Sequence, residues 1–216
     1  MNGMPSMIQP LADTNFHRAE ETLAHAFAID PIANFFFPRP AGRDPGLRRM
    51  FRACLRDGLG YGTVDTIDEG DAVAVWLRSE RATASLLRML HSGMLTAAFA
   101  MGWSATRLFN FLRFIEAEHL HATSSPHWYL FSIAVHPTRQ CQGLGSALLR
   151  QGLARASGQA LPCLLETTNE RNLAFYEKHG FRVIREGQIP NGGPHVWFML
   201  AESCSSPGGE KRPLKN

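Results

Sequence analysis

The stretch that most constrains the fold of this chain runs from Ile133 to Leu149, with the sequence IAVHPTRQCQGLGSALL. Its first residues are apolar and favour a buried strand. Pro137 ends the strand because proline has no amide hydrogen to donate to the ladder. A Gln140-x-x-Gly143-x-Gly145 loop follows at once and leads into an amphipathic helix.

A glycine loop between a strand and a helix predicts a binding site for an anion. Glycines let a ligand approach the backbone without meeting a Cβ atom. The N–H groups of the first helical turn have no partner within the helix, and the helix dipole favours negative charge there. We therefore expect a phosphate group to bind the backbone of this loop. The residues concerned are Gln140, Cys141, Gln142, Gly143, Leu144, Gly145 and Ser146.

Two nucleotide-binding motifs were compared with this loop. The chain has no Gly-x-x-x-x-Gly-Lys-Ser/Thr, so it has no P-loop. The dinucleotide fingerprint needs a third glycine at position 148, where this chain has Leu148. That fingerprint also has an acidic residue about 20 residues after its glycines, and Glu166 lies at about this distance from the loop. A Rossmann-like protein therefore remains an alternative. The loop comes late in the chain, with too few βα units after it, which counts against this alternative.

A second informative stretch runs from Leu164 to Phe181, LLETTNERNLAFYEKHGF. It predicts an apolar strand, a turn and a helix that stops at Gly180, where glycine allows a left-handed residue. Asn172 and Tyr176 are four residues apart, which puts them on one face of that helix.

The rest of the chain predicts helices and a hairpin first, then alternating elements. Before residue 80 the patterns predict three elements. The first is a helix that follows a cap at Asp13 or Thr14 and ends before Asp30-Pro31. The second is a helix over Leu47 to Leu55, closed by Gly58, Gly60 and Gly62, and the third is a hairpin of Thr63–Ile67 and Ala72–Leu77. After residue 80 we expect two helices over Ala82 to His119, with Ser104 capping the second. Four strands should follow, at Trp128–Val135, Pro162–Thr167, Phe181–Ile189 and His195–Leu200.

Composition narrows the possible partners. The net charge is only +3, and two of those charges lie in the last fourteen residues, 203–216, which we expect to be a flexible tail. This weak excess argues against nucleic acid or a membrane surface as the main partner. The most apolar run, Met94 to Trp103, has half of the about 20 residues that span a bilayer. The four cysteines have no zinc-type spacing, so we expect no metal and a cytoplasmic protein with free thiols.

Together the two stretches resemble the GNAT superfamily of N-acetyltransferases. In that family a Gln/Arg-x-x-Gly-x-Gly/Ala motif binds the CoA pyrophosphate, and here it reads Gln140-Cys-Gln-Gly143-Leu-Gly145. The family's next motif, an Asn…Tyr pair followed by Gly-Phe, reads here as Asn172, Tyr176 and Gly180-Phe181. Phrases such as HAFAIDP and GLGSALL resemble, within the superfamily, the puromycin N-acetyltransferase group of bacteria.

The resemblance implies a fold. We expect a mixed α+β structure, one GNAT-type domain over residues 1–202 with a helical insertion at about 82–120. Its central sheet should be mostly antiparallel, with six to seven strands, and splayed between the fourth and fifth strands. Helices should cover both of its faces.

The resemblance also implies a reaction. Acetyl-CoA is the expected co-substrate, and its pantetheine arm should pair with the strand backbone at Ile133, Ala134 and Val135. Asn172 should hydrogen-bond that arm, and Tyr176 should protonate the departing CoA thiolate. The acetyl group would go to a primary amine of a small molecule, which attacks directly in a ternary complex.

The general base is open at this point. Glu166 is the first candidate because it ends the strand that flanks the acyl group. Glu116 and His119, three residues apart on the inserted helix, are the second candidates and possible contacts of the substrate. His127 and His136 come third, and we expect both to be structural.

The acceptor and the partners are open as well. An aminoglycoside, an amino-nucleoside, a polyamine or a peptide N-terminus would each fit, and acidic residues at Glu116, Glu118 and Glu166 would suit a cationic amine. A homodimer is possible. The alternatives to an enzyme are an acyl-CoA-binding regulator without turnover, a Rossmann-like nucleotide-binding protein and a protein-interaction domain.

Overall fold

A computed structural model of the chain describes residues 7–79, 105–123 and 125–203. The predicted helix that begins at Ala82, the capping role of Ser104 and nearly all of the predicted tail lie outside the described residues.

Seven strands form one sheet, in the order β1-β2-β3-β4-β5-β7-β6. They are β1 (Gln9–Pro10), β2 (Gly62–Ile67), β3 (Ala72–Arg78), β4 (Trp128–Val135), β5 (Cys163–Thr167), β6 (Arg182–Gln188) and β7 (His195–Ala201). Neighbouring strands are antiparallel except β4 and β5, which are parallel. The predicted mixed α+β fold is confirmed. The Rossmann-like alternative is wrong, because that fold needs a mostly parallel sheet.

The sheet opens between β4 and β5. The two strands pair only at Trp128 with Cys163 and at Tyr129 with Leu164. Beyond these pairs the described part of the chain places no strand against this edge of β4. The register between β3 and β4 also shifts at Phe131, an extra residue that bends the strand at this point. The predicted splay between the fourth and fifth strands is therefore present.

Helices pack on both faces of the sheet, as predicted. They are α1 (Phe16–Phe27), α2 (Pro31–Phe36), α3 (Pro40–Tyr61), α4 (Ala105–Ala122), α5 (Leu144–Ser157) and α6 (Leu173–Glu177). Alternate residues of β3 point to opposite faces. Val73 and Val75 contribute to the core that contains residues of α1 to α4, whereas Ala74 and Trp76 contribute to the core beneath α5 and α6.

The helix α3 is longer than the sequence predicted. It begins at Pro40, continues through Gly58 and Gly60, and ends at Tyr61 with Gly62 as its C-cap, so of the three glycines predicted to close the helix only Gly62 does so. The structure gives another reason for Gly58. A Cβ atom at position 58 would lie 2.6 Å from Val75 Cγ1, so the residue lets α3 pack closely on the sheet.

The short helix α2 was not predicted. Asp30 caps it by accepting the backbone N–H of Ile32 at 3.0 Å, and Pro31 occupies the first helical position, where proline is favoured. The expected cap of α1 is also wrong. A single 3-10 turn, Asp13–Asn15, precedes that helix, and no side chain caps it.

Glycine also allows α5 to approach the sheet closely. Its Gly152 faces the buried indole ring of Trp76, and a Cβ atom at this position would overlap the ring. The position of α5 matters for the site, because the loop that precedes this helix is the predicted anion-binding loop.

Candidate active site

The predicted loop and helix start are present where β4 ends. A 3-10 turn, Pro137–Arg139, leads into the loop, and α5 begins directly after Gly143. Gly143 has a φ of +80°, a backbone conformation that glycine adopts without strain. A Cβ atom there would meet no described atom within 4 Å, so the space beside Gly143, at the start of the helix, is open. This geometry fits a phosphate group.

An ionic network holds the loop against the β2–β3 turn. The Arg139 guanidinium lies 2.8 Å from Asp71 Oδ2 and 2.8 Å from Asp68 Oδ2. Asp71 also accepts two hydrogen bonds from Arg18 of α1, at 2.9 and 2.7 Å. The backbone N–H of His136 donates to Asp71 O at 2.8 Å. The loop is thus fixed from two other elements before any ligand binds.

Within the loop the side chains are directed mostly to solvent. Cys141, Gln142 and Gly143 are exposed, whereas Leu144 is buried under the helix. Gln140 donates its amide to Val135 O at 3.2 Å, which makes this side chain part of the loop's own structure. The loop lies at the surface and does not form part of the wall of the cavity described next.

A cavity of about 470 Å³ lies at the opening between β4 and β5. It extends from there into the space between the sheet and the helices α1 to α4. Six residues predicted for the site line it, although they come from four separate parts of the chain: Glu116, His119, Ile133, Glu166, Asn172 and Tyr176.

Two candidates for the general base contact each other in this cavity. The Nε2 atom of His119 lies 3.1 Å from Glu166 Oε2, and the Tyr129 hydroxyl donates a hydrogen bond to Glu166 Oε1. The His119 ring packs edge-to-face on Tyr129, with 4.7 Å between the ring centroids. The side chains of His119 and Glu166 are only 15% and 14% exposed. The Glu166 carboxylate is therefore held on both oxygens in a largely buried position.

Tyr176 is a buried tyrosine in the wall of the same cavity. It lies on α6 and is 7% exposed. Burial raises the pKa of its phenol well above the usual range, and the carboxylates of Asp30 and Glu166 raise it further. The hydroxyl is thus protonated at neutral pH.

Asn172 stands at the start of α6. The predicted single helix is divided here into a 3-10 turn, Glu170–Asn172, and the short α6. The Asn172 amide donates to Thr167 Oγ1 at 3.4 Å, and this contact orients the side chain at the end of β5.

Asp30 is a residue of the cavity that was missed in the sequence. Its carboxylate accepts hydrogen bonds from the Ile32 N–H and from Thr168 Oγ1, each at 3.0 Å. Burial raises the pKa of this carboxyl group. The only sequence pattern that could have drawn attention to it is Asp30-Pro31, a typical helix start. That pattern predicts the cap but not the contact with Thr168.

Glu118 does not belong to this group of acids. It forms an ion pair of 2.8 Å with Arg185 of β6 and does not line the cavity. The expectation that it lies near the site is wrong, because successive residues of a helix point in different directions and Glu118 follows Glu116 by only two positions.

The two remaining histidines have different environments. His127 lines the cavity and is buried, with its ring Nδ1 2.9 Å from Ser125 O, and burial lowers its pKa. His136 lies outside the cavity, 3.4 Å from the ring of His25. Its pKa is lowered first by burial and then by the charge of Arg18.

Within residues 7–79, 105–123 and 125–203, no three His, Cys, Asp or Glu side chains are grouped so that they could hold a metal ion. None of the helices in these same ranges has the length and apolar character needed to cross a bilayer.

Comparison with known proteins identifies the family. The model of the acetyltransferase (GNAT) family matches residues 58–181, which include the loop, β4, β5 and Tyr176. The chain belongs to this family. The predicted class of enzyme, a GNAT-family N-acetyltransferase, is thereby confirmed.

Solved structures of acetyltransferases share the fold over nearly the whole chain. One is the histone acetyltransferase HPA2 and related acetyltransferase of Corynebacterium glutamicum, with 23% identity, a TM-score of 0.66, and coverage of 94% of this chain and 98% of that one. Another is arylalkylamine N-acetyltransferase 2 of Aedes aegypti, with 12% identity, a TM-score of 0.63, and coverage of 91% and 98%. A third is the ribosomal-protein-S18-alanine N-acetyltransferase of Escherichia coli, with 17% identity, a TM-score of 0.54, and coverage of 96% and 100%.

Proposed function

We propose that this protein transfers an acetyl group from acetyl-CoA to the primary amine of a small molecule, by direct attack in a ternary complex. The observation that carries the proposal is the cavity between β4 and β5. Its wall contains both a protonated donor, Tyr176, and a fixed carboxylate, Glu166. A positioned proton acceptor and proton donor are the groups that accelerate acyl transfer from a thioester to an amine.

Binding of acetyl-CoA would use backbone groups at the C-terminal end of β4 and in the loop that follows it. The N–H groups from Gln140 to Ser146 would hold the pyrophosphate, since they belong to the loop and the first turn of α5, and the space beside Gly143 is open. The edge of β4 at Ile133 to Val135 would pair with the pantetheine arm, because no described strand covers it. Asn172 would donate to the same arm. Acetyl-CoA supplies the activated thioester.

The chain's own residues would then move the protons. Glu166 takes one proton from the acceptor's ammonium group, which makes the nitrogen a nucleophile, and passes this proton to solvent. Tyr176 donates its phenolic proton to the CoA sulfur as the carbon–sulfur bond breaks. The second proton lost by the acceptor nitrogen restores the phenol. The products are an amide and CoA with a free thiol.

The names of the solved relatives support an amine as the acceptor. One of them acts on arylalkylamines and another on an alanine of ribosomal protein S18. Their acceptors differ in size, so their shared fold supports the type of reaction and leaves the acceptor to be argued from this cavity.

The test is calorimetric titration of the purified protein with acetyl-CoA, with NADH and ATP as controls, followed by mass spectrometry of the products formed with a set of amines. We expect saturable binding of acetyl-CoA alone and an amine product heavier by one acetyl group. Binding without acetylation of any amine would indicate an acyl-CoA-binding regulator instead. Binding of NADH in place of acetyl-CoA would contradict the proposal altogether.

A further inference from the structure

The part of the cavity between the sheet and the helices α1 to α4, which we call the acceptor side, is built mainly from aromatic and aliphatic side chains. Five phenylalanines, which we call the aromatic chamber, line it: Phe27, Phe36, Phe51, Phe111 and Phe131. They come from α1, α2, α3, α4 and the irregular point of β4. Their rings contact one another in pairs, with centroids 4.9 Å apart for Phe27 and Phe51 and 5.2 Å apart for Phe36 and Phe111.

Among the described residues that line the cavity, four are acidic: Asp30, Asp57, Glu116 and Glu166. Two histidines, His119 and His127, lie in the same described lining, and no lysine or arginine of it joins them. Glu116 is exposed at the mouth, whereas Glu166 lies inside, next to the aromatic chamber through Tyr129 and Phe131. Such a lining attracts a cation and repels a carboxylate or phosphate on the acceptor.

Only one of the inner carboxylates has the setting of an ammonium site beside the acetyl group. Glu166 lies at the end of β5, in the wall that also contains Tyr176. Asp30 caps α2 through the Ile32 N–H, and burial raises its pKa, which favours its neutral form. Asp57 is buried on α3 and does not lie on β5 or α6, the elements that carry Glu166 and Tyr176.

We infer that the acceptor is a primary amine with a single positive charge and an elongated apolar or aryl body. Its ammonium group binds beside Glu166 and its body fills the aromatic chamber. The inference rests on the proposed acetyl transfer and narrows its substrate class. The phenylalanine rings of the chamber offer no hydrogen-bond acceptor to a second ammonium or to several hydroxyl groups, and Asp57 on the α3 side of the cavity already has an interaction partner. Burying such groups unpaired is costly. Polyamines and aminoglycosides are therefore poor acceptors, and so are amino acids, because of their carboxylate.

The test compares pairs of amines that differ in one group, with the full-length protein and acetyl-CoA. Hexylamine is compared with 1,6-diaminohexane, which has a second amine. 2-Phenylethylamine is compared with the free amino acid phenylalanine, which has a carboxylate in addition. We expect kcat/KM for the monoamine to be higher by about 100-fold in each pair, because one unpaired polar group must be buried. A diamine or an amino acid that is acetylated as fast as its partner would overturn the inference while the proposed acetyl transfer still stands.

A variant tests the aromatic chamber itself. Phe111→Ala should raise KM for 2-phenylethylamine by about 10-fold, since it removes a ring that the substrate would contact, and should leave KM for acetyl-CoA unchanged. Phe109→Ala is the matched control, because Phe109 lies on the same helix, is 58% exposed and does not line the cavity. Equal KM values for the two variants would contradict the assignment. The amine pairs decide the question with the unmodified protein if Phe111→Ala does not fold.

Failure of the proposed acetyl transfer can be distinguished from failure of this inference by a binding experiment. If no amine is acetylated, calorimetric titration with hexylamine and 1,6-diaminohexane still tests the cavity. Saturable binding of hexylamine that is stronger than binding of the diamine would support a site for apolar monocations. Absence of hexylamine binding would overturn the inference together with the proposed function.

Discussion

The imidazole of His119 and the carboxylate of Glu166 are 3.1 Å apart, although the two residues are 47 positions apart in the sequence. The contact joins α4 to the end of β5 across the cavity. It places the imidazole of His119 beside one carboxylate oxygen of Glu166, and the Tyr129 hydroxyl donates to the other. The two separate candidates for a general base are thus parts of one hydrogen-bonded group.

The first prediction concerns Glu166. Glu166→Gln keeps the size of the side chain but removes its ability to take a proton. We expect kcat/KM for the amine to fall by about 100- to 10,000-fold, the usual contribution of a general base. Steady-state kinetics measures this fall, and calorimetry should show unchanged binding of acetyl-CoA.

A similar His–Glu pair elsewhere provides the control for this variant. His195 Nε2 lies 3.3 Å from Glu186 Oε2 on the exposed β6–β7 hairpin. Glu186→Gln should leave the activity unchanged. If Glu166→Gln were as active as Glu186→Gln, the base would have to be a different group.

The second prediction concerns Tyr176. Its phenol is buried and protonated at neutral pH. Tyr176→Phe should reduce kcat by about 10- to 1000-fold if protonation of the thiolate limits the rate. The dissociation constant of acetyl-CoA should hardly change. Tyr61→Phe, at a tyrosine outside the cavity, is the control, and full activity of Tyr176→Phe would remove this residue from the mechanism.

The third prediction separates anion binding from backbone strain. Gly143 and Gly192 both have positive φ values, +80° and +76°, and a Cβ atom at either position would meet no described atom within 4 Å. Valine at either position should therefore destabilise the fold in a similar way. Only Gly143→Val should also abolish acetyl-CoA binding, because its side chain would stand in front of the first turn of α5. Equal affinities of the two variants in calorimetry would show that the loop has a purely structural role.

The fourth prediction concerns the network that holds the loop. Asp71→Asn weakens the contacts with Arg18 and Arg139. We expect the dissociation constant of acetyl-CoA to rise by about 10-fold, which corresponds to about 1.4 kcal/mol. Glu202→Gln breaks the exposed pair with Arg182, where both side chains are 64% exposed, and should have no such effect. An unchanged affinity of Asp71→Asn would mean that the loop keeps its shape without the network.

The fifth prediction concerns the pH dependence of stability. Burial lowers the pKa of His127 in the folded protein below its ordinary value of 6.5. The unfolded chain therefore binds this proton more readily, and folding loses stability as the pH falls through 6.5 toward the pKa of the folded state. His127→Gln should lose less stability than the unmodified protein over this range. Urea unfolding at a series of pH values would detect the difference, and parallel curves for the two proteins would contradict it.

Much of the fold followed from local sequence patterns. The bounds predicted for β4, Trp128 to Val135, agree with the structure, and Gly180 has the expected left-handed conformation, with a φ of +88°. The helices before residue 62 were predicted less well. Gly58 was interpreted, with Gly60 and Gly62, as closing a helix; Gly62 does so, whereas close packing on Val75 explains Gly58. A sequence does not show which of these two roles a glycine has.

The cavity was predicted only in part, because its contacts join distant residues. A motif predicted Asn172 and Tyr176, and a position at the end of a predicted strand predicted Glu166. Tyr129 and Asp30 have no motif, and their partners lie 37 and 138 positions away in the sequence. Such pairs depend on how the strands and helices are arranged, and a single sequence does not give this arrangement.

The contact between Gly152 and Trp76 links the interior of the protein to cofactor affinity. Gly152 lies eight positions after Leu144, so a helical rise of about 1.5 Å per residue puts the contact about 12 Å from the start of α5. A larger residue at position 152 would overlap the Trp76 ring, which destabilises the core, and would push the middle of α5 away from the sheet so that its first turn tilts. We therefore expect a substitution at this core position to lower the affinity for acetyl-CoA as well as the stability of the fold, although Gly152 lies outside the anion-binding loop.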